Sequence, residues 1–206
     1  MDQSTLLGQF IESEINLLVE LRMGNGMDEQ EYKNMKRTFS QLMEQWNDKD
    51  SVPQKAVQPI MEICTELYNS SMNYSGEESE RIRKATDYIS TWRQKGLAGD
   101  YIPDQTQENV ISGLVEQINT DGNFFKKLEQ GKGLDEQQFE GIFRELVKIH
   151  DEITSWDTMP KPLVRVLIAL YEMDLLVIKY EDEFHNQEEA DKIYDAYERV
   201  FELIAG

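Results

Sequence analysis

The stretch Gly24-Asn25-Gly26-Met27-Asp28-Glu29-Gln30-Glu31-Tyr32 returns 107 residues later as Gly131-Lys132-Gly133-Leu134-Asp135-Glu136-Gln137-Gln138-Phe139. Each copy reads as the turn between two helices. It follows a run ending in Leu21-Arg22-Met23 or Leu128-Glu129-Gln130, and glycine just past a helix end relieves the left-handed backbone needed there. Asp28 and Asp135 stand where an N-cap side chain accepts the first free N–H groups of the next helix. Glu31 and Gln138, three residues on, have the spacing of a capping box. Met27 with Tyr32, and Leu134 with Phe139, have that of a hydrophobic staple.

The self-similarity extends outward from the turn. From 24 to 57, nine of 34 positions match their +107 partners without a gap: Gly24, Gly26, Asp28, Glu29, Gln30, Arg37, Asp50, Pro53 and Val57. Chance gives about two, so the pattern predicts an internal duplication. Before the turn, Leu7, Ile11, Asn16 and Leu21 match Leu114, Ile118, Asn123 and Leu128; near the ends the offset becomes 111, with Ile82 answering Ile193 and Ala85 answering Ala196. The second copy is therefore expected to be about one helical turn longer around residues 179–187.

Hydrophobic spacing predicts an all-α fold of about eight helices, as two tandem four-helix units of roughly 100 residues. The first unit spans 1–95, a linker 96–104 carries two glycines and a proline, and the second unit spans 105–206. In the first unit, helices are expected from about Thr5 to Met23, after Asp28 with a seam of Tyr32, Met35, Phe39, Leu42 and Trp46, after a Ser51 cap, and from about Glu77 to Lys95 with Ile82, Ala85, Ile89 and Trp92 inward. Pro59 is expected to kink or delay the third of these. The second unit is expected to open with a helix over about Thr106–Gln130, weakened near Asp121-Gly122. A helix carrying Phe139, Ile142, Phe143, Leu146, Ile149 and Ile153 follows, then one capped by Thr158, then one after Asn186. The Thr158-capped helix runs from Leu163 to Tyr180 and is apolar nearly all round. It is expected to pack on more than one side, between the copies or in a homodimer, with a partner groove as the alternative and Arg165, Glu172 and Asp174 as its charges.

Composition narrows the function. The chain of 206 residues has 40 acidic and 21 basic residues, a net charge of −19. Direct nucleic-acid binding calls for basic clusters, and anionic membrane surfaces repel such a chain, so neither is expected. The second copy is the more acidic one. One cysteine, Cys64, precludes an internal disulfide, and the start Met1-Asp2-Gln3-Ser4 lacks a signal-peptide core, which points to the cytoplasm. No run is long and apolar enough for a membrane span.

Catalytic and cofactor motifs are absent from the sequence. A calcium loop with Gly26 at its sixth position needs a bidentate Glu six residues on, where Tyr32 stands; Phe139 stands there in the second copy. The two histidines, His150 and His185, have Met43 and Glu78 as counterparts, so no metal site repeats. Asp182 and His185 form one weak approach to a carboxylate–histidine pair. Cys64 falls on an apolar helix face, the place of an inert thiol. No phosphate loop or nucleophile elbow occurs. No cofactor, metal or catalytic residue is assigned, and no enzyme activity is expected. Arg37 and Arg144, the polar identity inside a helix, are expected in a shared ion pair or hydrogen bond, with a duplicated anion site as the alternative; Asn16 and Asn123 are expected in polar contacts inside each bundle.

The densest charge run is Glu181, Asp182, Glu183, Glu188, Glu189 and Asp191, with Tyr194, Tyr197 and Phe201 beyond it as aromatic anchors. Glu181, Asp182, Glu183, Glu188, Glu189, Asp191 and Tyr194 are therefore the candidate partner-binding residues. The function they suggest is a non-enzymatic binding protein for a basic protein partner, in an inhibitor, immunity-type, adaptor or chaperone role. A nucleic-acid mimic and a metal-dependent bundle enzyme are the competing expectations, and a homodimer is the structural one.

Overall fold

The computed structural model describes residues 2–98, 105–119 and 123–205, and the chain is all-α. It divides into two compact units at residues 100 and 101.

In the first unit, α1 (Gln3–Arg22) packs on α2 (Glu29–Trp46) and α3 (Gln54–Met72), and α4 (Gly76–Gly96) closes the bundle against α2 and α3. Asp2 caps α1, its carboxylate accepting from the Thr5 N–H at 3.0 Å and the Thr5 hydroxyl at 2.7 Å. Asp28 caps α2, accepting from the N–H groups of Gln30 and Glu31, each at 2.8 Å. Gly24 holds φ of +79°, the left-handed backbone that its place after α1 predicts, and Gly26 also takes a positive φ, of +82°. Met35, Phe39, Leu42 and Trp46 are buried, the Phe10 and Phe39 rings meet at a tilt 5.1 Å apart, and Ile82, Ala85 and Ile89 of α4 are buried as well.

Three expectations change in this unit. Ser51 opens a three-residue extended segment, β1 (Ser51–Pro53), instead of capping a helix. Pro53 takes the N-cap position without a side-chain bond, its ring presetting φ at −57°. Pro59 does not delay α3, which starts at Gln54 and runs through it. In α4 the buried member of the seam at 92–93 is Arg93, with Trp92 half-buried. Residues 82, 85, 89 and 93 step by three and four, so Arg93 completes the inward row and its guanidinium reaches the Ile60 carbonyl at 3.4 Å.

The second unit contains α5 (Gln105–Asn119), α6 (Phe124–Glu129), α7 (Glu136–Ile153), β2 (Thr158–Pro160), α8 (Lys161–Tyr171), α9 (Met173–Asp182) and α10 (Gln187–Ala205). α5 packs on α7 and α8, and α10 on α7, α8 and α9. The expected long opening helix is two: the helix ends at Asn119, and Asn123, at φ +69°, leaves helical conformation and caps α6 through the Lys126 N–H at 3.3 Å. The expected break at Asp121-Gly122 lies outside the described residues. Thr158 begins β2 rather than capping α8, and Pro160 holds the N-cap position as Pro53 does. The apolar helix from Leu163 to Tyr180 is also interrupted, at Glu172 (ψ 0°), where a single turn residue separates α8 from α9. Leu163, Val164, Val166, Leu167, Ile168 and Leu170 are all buried, so α8 is covered nearly all round, with Arg165 exposed and Glu172 and Asp174 half-buried.

The two units share a framework at the turn. The Tyr74 hydroxyl donates to the Leu21 carbonyl at 2.7 Å and accepts from the Gly26 N–H at 3.1 Å. The Tyr180 hydroxyl donates to the Leu128 carbonyl at 3.0 Å and accepts from the Gly133 N–H at 2.8 Å. One residue on from each glycine, the Met27 N–H donates to Glu78 at 2.6 Å and the Leu134 N–H donates to Glu189 at 2.8 Å. A tyrosine and a glutamate thus tie the repeated turn to the far side of each bundle. From Tyr to Glu the chain takes four steps in the first unit and nine in the second, which places the extra residues between Tyr180 and Glu189.

Candidate functional site

The acidic run separates into residues that build the fold and residues that stay at the surface. Glu189 belongs to the first class. It lies under Gly133, accepts the Leu134 N–H, and pairs with Lys192 at 2.7 Å. The Lys192 hydrogen bond, then the Leu134 N–H, hold its carboxyl below the usual value, and Glu189 and Glu188 together push the Lys192 ammonium up to about 12. Glu188, also on Lys192 at 3.2 Å, remains exposed. Glu181 and Asp191 are drawn together by the Gln187 amide, which donates to each at 2.9 Å. Asp182 and Glu183 are exposed at the end of α9.

The loop carrying this run is anchored. The Phe184 ring sits over Gly131, where a Cβ would lie 2.9 Å from it, and meets the Tyr180 ring edge-on at 5.1 Å. The Lys179 ammonium lies over Phe184 and donates to the Glu129 carbonyl at 2.9 Å, at the C-terminal end of α6 where a cation is favoured. His185 reaches φ +50° to turn the chain into α10.

Beyond the loop, α10 presents an aromatic row. Tyr194 and Tyr197 rings are 6.3 Å apart, Tyr197 and Phe201 5.9 Å, and Tyr171 of α8 joins both Tyr197 (6.0 Å) and Phe201 (6.2 Å). Tyr194 is 43% exposed and Phe201 39%. The Glu198 carboxylate, then Asp174 and Asp195, push the Tyr194 phenol above its ordinary value, so the row lies in a negative field. Both cations of α10 are already committed: Lys192 to Glu188 and Glu189, and Arg199 to Glu140 at 2.5 Å while it stacks on Phe143 at 4.4 Å. Asp195, Glu198 and Glu202 remain exposed around the rings. Such a surface offers apolar area and π faces to a cationic side chain, with carboxylates at the rim.

The other singled-out groups stand elsewhere. Cys64 is buried, as its apolar face predicts. His150 is half-buried beside the exposed Asp151 at 3.3 Å, and His185 lies in the α9–α10 loop. Among the described residues no three acidic, histidine or cysteine side chains are placed to hold a metal, and no helix is long and apolar enough to cross a membrane. Arg37 and Arg144 overturn their expectation: both are exposed and neither forms an ion pair within 4 Å among the described residues. Asn16 is exposed on α1 rather than inside the bundle, whereas Asn123 is spent on its cap. Among the described residues the reciprocal half of the capping box forms in neither unit: Asp28 accepts from the Gln30 and Glu31 N–H groups without a return bond from the Glu31 side chain, and the Gln138 amide instead donates to the Gln117 carbonyl at 2.7 Å while its oxygen accepts from Lys127.

Two features escaped the sequence. Glu14 is buried on the α1 seam, and its spacing from Leu7, Leu18 and Leu21 was the available signal. The ring and cation partnerships across α2–α4 and α7–α10 carried none, because each needs the pairing of helices to be known. No protein-family model, no curated protein and no solved structure matches the chain.

Proposed function

We propose that the chain is a non-enzymatic protein, built by tandem duplication of a four-helix unit, that binds a basic protein partner through the aromatic row of α10. The observation that carries the reading is the row itself: Tyr194 and Phe201 exposed on one helix face with the half-buried Tyr197 between them, among carboxylates, while Lys192 and Arg199 of that helix are already paired. The counterparts of these rings at −111 are Arg83, Thr86 and Ser90, and that of Asp195 is Lys84. The first unit builds the same kind of bundle without them. The rings and their acidic rim are therefore not a requirement of the fold.

The mechanism is steering followed by anchoring. The net charge of −19 raises the encounter rate with a basic surface, an effect screened beyond about 8 Å at physiological salt. The rings then provide apolar area with little side-chain entropy to lose, which is why aromatic residues recur as interface anchors. Glu181, Asp182, Glu183, Glu188 and Asp191 contribute to the field from the adjoining loop, while Glu189 serves the fold.

The test is affinity capture from nuclease-treated lysate at low and high salt, run in parallel with the Tyr194→Ala/Phe201→Ala variant. A basic protein retained at low salt by the parent chain and lost both at high salt and with the variant supports the reading. Retention indifferent to salt and to the variant refutes it.

A further inference from the structure

We infer that the exposed face of α1 is a second docking surface, shaped for one basic amphipathic helix of a partner protein, with a lysine or arginine of that helix taken up by the carboxylate of Glu14 beside Glu62 and Glu66. Ile15, Val19 and Met23 recur every four residues and are 54%, 43% and 69% exposed. They form a stripe about 12 Å long, two turns of a facing helix. The next row on the same helix turns toward α3 and contains Leu18 and Glu14, the latter only 5% exposed.

Glu14 has no hydrogen-bond or ion-pair partner among the described residues. Its charged neighbours across the seam are carboxylates: Glu62, which accepts the Gln58 amide at 2.9 Å, and Glu66, which takes Arg22 at 2.6 Å. Burial, then the charges of Glu62 and Glu66, push the Glu14 carboxyl well above its usual range. A buried carboxylate without a partner is costly, and a cation brought by a ligand removes that cost. The stripe supplies the apolar half of the contact and the three glutamates the polar half. That pairing selects a helix with leucine-like residues on one face and lysine or arginine at its edge. The same glutamates disfavour an anionic bilayer.

The second unit serves as the internal control. The residues 107 positions on from Val19 and Met23 are Lys126 and Gln130, both exposed and both polar. A four-helix unit therefore forms without the stripe, and its presence in the first unit is an addition to the framework.

The probe is a fluorescein-labelled Leu/Lys peptide of about 18 residues, five helical turns, with its scrambled sequence as control, titrated with the full chain and read by anisotropy. The amphipathic order is expected to bind at least about tenfold tighter than the scramble. Val19→Lys with Met23→Gln, the side chains that the second unit carries, is expected to weaken binding by about tenfold or more, the loss of one interface anchor. Far-UV circular dichroism checks that this variant is folded. Glu14→Gln is expected to weaken binding as well, and both losses are expected to persist when measured in the Tyr194→Ala/Phe201→Ala background, which separates this surface from the one on α10. Equal binding of the two peptides overturns the inference, as does an unaffected stripe variant or loss confined to the α10 variant. Binding to phosphatidylcholine vesicles that the stripe variant abolishes would assign the face to lipid instead. Self-association abolished by that variant would assign it to a second copy of the chain.

Discussion

Replacing Tyr180 by Phe removes one oxygen and tests the turn that both units share. The Tyr180 side chain is fully buried, and its hydroxyl joins the Gly133 N–H at 2.8 Å to the Leu128 carbonyl at 3.0 Å. Leu128 keeps a second donor, the Gly131 N–H at 3.0 Å, so the group left without a partner is the Gly133 N–H. Losing a net hydrogen bond costs about 1 kcal/mol, and leaving the part-buried Gly133 N–H beneath a buried ring without its acceptor brings the total to about 1.5–3 kcal/mol. Tyr74 makes the same two bonds in the first unit but is half-buried, so water can replace its hydroxyl and Tyr74→Phe is expected to cost only about 0.5–1 kcal/mol. Hydrogen exchange read by mass spectrometry on urea-titrated protein assigns each loss to its own unit. Tyr180→Phe should raise exchange across residues 124–139, and Tyr74→Phe across 17–32. Equal costs, or a loss in Tyr180→Phe below about 0.5 kcal/mol, would refute the view that burial makes the second clamp the stronger one.

Three further outcomes follow from the same contacts. The raised Glu14 carboxyl binds its proton more tightly in the folded chain, so its contribution favours folding at low pH and is lost as pH rises through the folded value. Glu14→Gln should accordingly stabilise the free chain at pH 8 and flatten that part of the stability–pH curve measured by urea unfolding. Gly96→Ala would bring a Cβ to 2.7 Å from the Met43 Cβ and 2.9 Å from its Cα, a backbone clash expected to cost about 1–3 kcal/mol in urea unfolding. The Lys36 ammonium lies 4.2 Å from the Tyr88 ring, whereas at the matching positions the Arg199 guanidinium lies 4.4 Å from the Phe143 ring; the exchange Lys36→Phe/Tyr88→Arg should therefore recover about 0.5–1 kcal/mol over the sum of the two single changes in a double-mutant cycle.

Local chemistry was legible in the sequence where one short stretch determines it. Gly24 and Gly131 hold the positive φ that their place after a helix demands, and Asp28 and Asp135 cap the helices they precede; the positive φ of Gly26 and Gly133 was not read from the sequence. The apolar seam of α2 is buried as its three-and-four spacing predicts. Failures came where two local signals compete or where distant residues decide. Ser51 and Thr158 carry good cap side chains, yet Pro53 and Pro160 set the helix starts two residues later by fixing φ. The interruption at Glu172 has no glycine or proline to announce it. Over that interval the register slips from Val57 and Val164, 107 apart, to Tyr74 and Tyr180, 106 apart, and the turn residue lies within it. In the candidate site the acidic run was visible, but the division of labour inside it was not. Glu188 and Glu189 look alike in sequence, and only the approach of Gly133 and Leu134 makes Glu189 structural.

The repetition also supplies a way to separate framework from function without any relative to compare. What both units keep is what the bundle needs: the glycines at positive φ, the aspartate caps, the tyrosine clamps, the glutamates on the turn and the prolines that start α3 and α8. What only one unit has is free to serve something else. The second unit adds residues between Tyr180 and Glu189 and sets Tyr194, Tyr197 and Phe201 where the first has Arg83, Thr86 and Ser90. The first sets Val19 and Met23 where the second has Lys126 and Gln130. Exposed apolar side chains add nothing to a core and raise the risk of association, so each departure runs against solubility. Two departures on separate units, each beside carboxylates, are what the proposed binding of basic partners through two distinct surfaces requires. Loss of binding at one surface with retention at the other is the behaviour that distinguishes this arrangement from a single diffuse acidic field.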